Sequence, residues 1–197
     1  GSRYDMIAKD EKGPGAPGAR RDVATCESCH SAKPHDKPSL IGYQLDTHAE
    51  RIACQTCHIP RIARGGVATM VDWDWSTAGR FIDGKGYALE EYKQGDGKER
   101  HTYWTIKGDF KWNENFAPTY KWFDGRMMYT TIDTVIDDSK LPVPINAVMG
   151  GPNDPAARIW PFKEMHTRIP WDPKRKSLVY NHLWGKDDTA FWGNFDM

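Results

Sequence analysis

The chain has 197 residues, with 27 basic against 27 acidic side chains and no formal net charge, so composition favours neither nucleic acid nor an anionic membrane surface as a partner. Hydrophobic residues make up only 39% of the chain, and no run approaches the about 20 apolar residues that span a bilayer. With 18 Gly and 13 Pro, a large aliphatic core is excluded.

Residues 1–24 are polar and rich in Gly, Pro and Arg, as in Gly13-Pro14-Gly15-Ala16-Pro17-Gly18, and read as a linker-like entry. No apolar leader segment is visible there.

Residues 25–64 hold the chemistry. Cys26-Glu27-Ser28-Cys29-His30 is followed by Cys54-Gln55-Thr56-Cys57-His58, and these two runs contain all four cysteines. A Cys-x-x-Cys-His run is the attachment signal for c-type haem: the thiols form thioethers with the haem edge and the imidazole binds the iron. A four-cysteine zinc site is the competing reading. It does not account for a His directly after each second Cys, a coincidence on the order of one in a thousand given seven His in the chain. The expectation is two covalently attached haems c, with His30 and His58 as proximal ligands. The haems would also supply apolar plates that replace part of the missing core. Attachment of this kind accompanies export, so the expected location is periplasmic or extracellular. A removed leader, or a position within a longer exported protein, would fit the start of the chain.

Each iron needs a second axial ligand. Beyond the motifs stand His35, His48, His101, His166 and His182, with seven Met as the alternative. His35 is five residues past His30, and extended chain spans about 3.3–3.6 Å per residue. That is too little to return over the opposite face of the first haem, but His35 can reach a neighbouring one. His48 is far enough along the chain to serve the first haem. His48 and His35 are therefore the expected distal ligands. Asp46 or Thr47 reads as an N-cap, with Glu50 completing a capping box, for a short helix carrying His48 towards Cys54. Pro60 should end the helix at the second motif. The remaining histidines exceed what two haems require. His166 is the leading candidate to ligate a haem attached elsewhere.

Residues 65–197 read as an aromatic-rich wrap with a small β region and an irregular C-terminal tail, and contain the nine Trp of the chain. In Asp72-Trp73-Asp74-Trp75 the alternation places both Trp on one strand face and both Asp on the other. Packing is the expected role of these four. The charged, Gly-rich run from Gly84 to Gly97 is an expected surface loop, with a helical turn around Leu89 to Lys93. The run 102–106 is a predicted strand, and Thr119–Phe123, Asp124-Gly125 and 127–136 predict a hairpin.

Several stretches together resemble one family: Asp46-Thr47-His48, the run from Arg51 to Pro60, Ala63-Arg64-Gly65-Gly66, and Trp73-Asp74-Trp75-Ser76-Thr77-Ala78-Gly79. The regions Tyr120 to Gly125 and around His166 are also similar. The resemblance is to the C-terminal portion of the octahaem tetrathionate reductase family of multihaem cytochromes c. It implies a multihaem cytochrome c fold with little regular secondary structure: short helices around the haem motifs, a small β-hairpin region and an irregular aromatic tail. It also implies an exported oxidoreductase with closely stacked, mostly bis-His haems. In that family the catalytic haem carries a Lys in place of a distal His and lies in the N-terminal part. This chain has two motifs and no Cys-x-x-Cys-Lys. The expected role is thus electron transfer as a module of a larger multihaem cytochrome or wire. The alternatives are the C-terminal segment of an octahaem reductase of tetrathionate, nitrite or hydroxylamine, and a protomer of an extracellular cytochrome filament. Whether the chain is itself an enzyme stays open. The expected partners are other multihaem cytochrome chains, copies of itself, or redox proteins.

Overall fold

The computed structural model describes residues 26–35 and 38–195. The expected linker over 1–24 lies outside them. Regular structure is sparse, as expected of a multihaem cytochrome c: the helices are short, and most strands are two to six residues long. The chain divides into two units. One takes the described residues up to Pro60 with Pro118–Tyr129 and Pro144–Phe162. The other takes Arg61–Ala117, Thr130–Val143 and the rest of the described chain from Lys163.

The first unit carries both cysteine motifs. Each motif forms one helical turn and a little more: α1, Cys26–His30, and α3, Cys54–His58. Between them lies α2, Leu40–His48. The sequence suggested a helix beginning at Asp46 or Thr47; instead one ends there. Ser39 is the N-cap, its hydroxyl accepting from the Gly42 N–H at 2.9 Å. This places Asp46 and His48 in the last turn. Replacing Ser39 with alanine leaves that N–H without its partner and should destabilise α2 by about 1 kcal/mol. Amide exchange over 42–48 should accelerate in S39A; unchanged rates would show that tertiary contacts alone hold the helix.

The expected hairpin over 119–136 does not form. Strand Thr119–Phe123 pairs antiparallel with Arg158–Phe162, and Met127–Tyr129 pairs with Asn146–Val148. The reason is local. The Asp124 carboxylate accepts from the Arg126 backbone N–H at 2.8 Å and from its Nε at 2.9 Å. The Asp124 N–H donates to Met149 O, and the Met149 N–H donates to Arg126 O. The peptides a tight hairpin would use are thus engaged with a third segment. Burial alone would disfavour the Asp124 carboxylate, but the Arg126 hydrogen bonds and charge hold it below the usual carboxylate range.

In the second unit the main sheet runs, in spatial order, His166–Arg168, Thr69–Asp74, Gly108–Asn113, Tyr103–Trp104 and Ala88–Leu89. The first pair is parallel and the others are antiparallel. The central strands contain Thr69, Val71, Trp73, Phe110 and Trp112, types that strands favour, among Asp, Lys and Asn. Trp73 stacks on Trp75 at 5.5 Å and on Phe110 at 6.0 Å, and Phe191 meets Trp75 edge-on at 6.0 Å. Asp74 faces the other way, to Ser76 and Arg168. These Trp residues are packing groups, as the alternation suggested. Gly108, at φ +81°, starts its strand against the neighbouring one; a Cβ there would lie 2.1 Å from Asp74 O. The helical turn expected over 89–93 is absent. Ala88–Leu89 and Tyr92–Lys93 are strands, paired with Tyr103–Trp104 and Glu99–Arg100. The C-terminal region is less irregular than expected, with the strand pair Trp171–Asp172 and Ser177–Leu178 and helix α4, Phe191–Asn194.

Candidate functional site

Both motifs are in the first unit, and a strand from late in the chain anchors the second. Ile159, in Arg158–Phe162, accepts from the Ala53 N–H at 3.0 Å and from the Thr56 hydroxyl at 2.7 Å, and donates to Arg51 O at 2.8 Å. The neighbouring Arg158 reaches Glu27 of the first motif at 3.3 Å. Arg51 points the other way: its guanidinium donates to Asp154 O at 2.8 Å and Pro152 O at 2.6 Å and covers the Trp122 ring at 4.7 Å. One short stretch, 51–56, is thereby held on both sides.

The two motifs approach one another. Gln55 Nε2 lies 3.9 Å from Cys26 Sγ. Burial pushes the Cys54 thiol up, and Glu27 and Cys26 nearby act in the same direction. None of the four cysteines is in a disulfide. Among the described residues no three or more His, Cys, Asp or Glu gather in a metal-binding cluster.

His35 and His58 come together. Their ring centres are 6.4 Å apart with the planes 18° from parallel. Two imidazole nitrogens on opposite sides of one metal ion, each about 2.0 Å from it with the ring centre about 1.2 Å further out, give a separation of about 6.4 Å. The spacing of the pair matches that of a bis-imidazole iron site, and the thiols of Cys54 and Cys57 stand in the same motif as His58.

The remaining candidates are more scattered. His30 ends α1 and His48 ends α2, both exposed. Among the described residues no ring pairing joins them as one joins His35 to His58. His166 is exposed in the second unit, opposite Asp72 in the parallel strand pair. His101 lies 3.1 Å from Glu90 and 5.3 Å, ring to ring, from Trp104. His182 Nδ1 lies 3.0 Å from the Thr189 hydroxyl.

Comparison with known proteins decides the family. The profile described as "Cytochrome c bacterial" matches residues 70–197, well over half the chain. This chain belongs to that family. Its membership implies covalently bound c-type haem and a redox role, and the two Cys-x-x-Cys-His motifs fit that cofactor. The matched region itself lies after both motifs, so family profile and attachment sites are independent pieces of evidence. Among solved structures, an octaheme cytochrome c from Shewanella oneidensis is similar, at 34% identity and TM-score 0.69, over 87% of this chain. The match covers 35% of that structure's own chain. No curated protein sequence matches. The expected multihaem cytochrome relationship is thus shown. No helix of the described residues is long and apolar enough to cross a membrane.

Sequence reasoning missed the residues that set the geometry. Asp46 reads as a cap but lies against His35. Arg51, Arg158 and Ile159 carry no motif signal, and the strand pairing that brings Ile159 to Ala53 spans more than a hundred residues of chain. Only the position of Arg51, three residues before Cys54, could have drawn notice.

Proposed function

We propose that this chain is an electron-transfer module carrying two low-spin c-type haems. In this reading Cys26 and Cys29 hold the first haem with His30 as proximal ligand, and Cys54 and Cys57 hold the second with His58. His35 is the distal ligand of the second haem, and His48 that of the first. The near-parallel His35–His58 pair carries the proposal. When bound, each haem supplies a one-electron couple, and the protein tunes it through ligand identity, hydrogen bonding and burial.

The residues of the chain have distinct tasks. The thiols fix each haem at a helix of one turn, and His58 and His35 close the second site from opposite sides. Bis-His ligation keeps the couple lower than His/Met would, because a thioether favours reduced iron. Arg51 and Ile159 hold the second motif to its supporting strand.

A larger setting is supported by the octaheme neighbour, of whose chain the match covers 35%. The module would then pass electrons to or from further haems, in a longer chain or a partner, as part of a reductase of tetrathionate, nitrite or hydroxylamine, or of an extracellular filament. His166, exposed on its strand, would ligate such a haem. Leu40, Ile41 and Tyr43 expose much of their apolar surface on α2 and suit contact with another multihaem chain or redox protein. Periplasmic or extracellular residence follows from the covalent haems.

His35→Ala tests the central point. The purified haem-loaded variant should keep its full haem content and lose the low-spin signature at one of two haems, seen by electron paramagnetic resonance. Two unchanged low-spin signals would overturn the assignment.

A further inference from the structure

We propose that Asp46 is the positioning residue of the second haem, orienting His35 and strengthening it as a donor. The inference rests on His35 being the distal ligand.

The geometry is specific. Oδ1 of Asp46 lies 2.9 Å from the His35 ring Nδ1 and accepts from the His35 backbone N–H at 3.2 Å. One carboxylate oxygen therefore fixes both the backbone and the ring of the same residue. Since an ionised carboxylate only accepts, Nδ1 carries the proton and Nε2 is left as the free donor atom. That tautomer is the one that leaves Nε2 able to bind a metal ion.

The location of Asp46 argues for a purpose. It is 4% exposed and sits in the last turn of α2, where the helix dipole disfavours an anion. A buried acid at a helix C-terminus breaks two local rules, and such departures concentrate at functional sites. Here the contacts with His35 engage one carboxylate oxygen, Oδ1. Ligating histidines recurrently donate their other ring N–H to a carboxylate, which fixes orientation and raises basicity. A more basic imidazole stabilises the oxidised iron over the reduced iron, so Asp46 would lower the second haem's potential.

The test uses the haem-loaded protein and its Asp46→Asn, Asp46→Ala, Asp46→Glu and His35→Ala variants. Potentials are read by titration monitored by electron paramagnetic resonance, which separates the two haems. Asparagine can still accept from Nδ1 but lacks the charge. In D46N both haems should stay low-spin while the second potential rises, by about tenfold in the oxidised-to-reduced ratio, or ~59 mV for one electron. D46A should shift it at least as far and broaden the second low-spin signal as the ring loses its fixed orientation. D46E should restore part of the shift. An unchanged potential in D46N, with His35→Ala losing one low-spin signal, would overturn the role of Asp46 and leave the ligation standing. Two low-spin signals surviving His35→Ala would overturn both. D46N is nearly isosteric, so the test remains decisive if D46A fails to load haem.

Discussion

Replacing Cys54 and Cys57 together by serine is expected to yield a protein with one covalent haem in place of two. Replacing Cys26 and Cys29 should remove the other, and all four substitutions should leave none. The thioether needs a sulfur nucleophile, and serine presents an oxygen that does not form the same bond under attachment conditions. The structure makes the two losses separable. The Cys54–His58 turn is anchored by its own contacts to Ile159, from Ala53 N–H and the Thr56 hydroxyl, and neither contact uses a thiol. Serine at 54 and 57 leaves these intact, so the variant should fold and still load the first haem. The converse pair leaves the Arg158–Glu27 contact in place at the first motif. Intact mass after denaturation reads the covalent haem count directly. A C54S/C57S protein that retained two haems in that measurement, or a wild-type protein that carried only one, would refute the two-haem assignment. A chain that bound zinc instead would show no mass step of this kind.

The attachment chemistry was legible because a Cys-x-x-Cys-His run is a local requirement: two thiols and an imidazole must lie within one helical turn. The reach argument for His35 was legible for a similar reason. Five residues of chain cannot return over the first haem, and the structure brings that ring to His58. What the sequence hid is long-range pairing. The Asp124-Gly125 turn looks like a hairpin signal, yet the Asp124 side chain engages Arg126 and the flanking peptides bond to Met149. Each of the two strands consequently pairs with a segment well downstream. Asp46 was misread because it stands beside Thr47, and Asp-Thr before a helical stretch resembles a cap. Its acceptor role depends on helix α2 bringing a residue eleven positions further along the chain back to His35, which no periodicity encodes. In the β-rich unit, by contrast, the sequence showed that the two Trp belong together, although the strand ends at Asp74 and Trp75 meets Trp73 from a 3-10 turn over Trp75–Thr77.

The support of the second motif is where a single substitution outside the ligands should cost most. Arg51→Ala is expected to destabilise the first unit by about 2–3 kcal/mol. The guanidinium is charged and donates to two carbonyls of one loop, Pro152 O and Asp154 O, at 2.6 and 2.8 Å. Removing it leaves both carbonyls to water and uncovers the Trp122 ring. The loop in question packs closely: Ala157 is fully buried, and Gly150, at φ +115°, lies where a Cβ would come within 3.0 Å of the Ala157 methyl. Loss of its clamp should therefore propagate to Arg158 and Ile159, which hold Glu27, Ala53 and Thr56. Arg51→Lys separates charge from shape. An ammonium keeps the charge but cannot fork to two carbonyls while lying flat on an indole, so it should recover less than half of the loss. Thermal unfolding of the haem-loaded protein, with the melting temperature falling about 5–10 °C in R51A, gives the measurement. An R51K protein as stable as wild type would show that charge alone suffices. An R51A protein as stable as wild type would show that the second motif is held by Ile159 without help from this side.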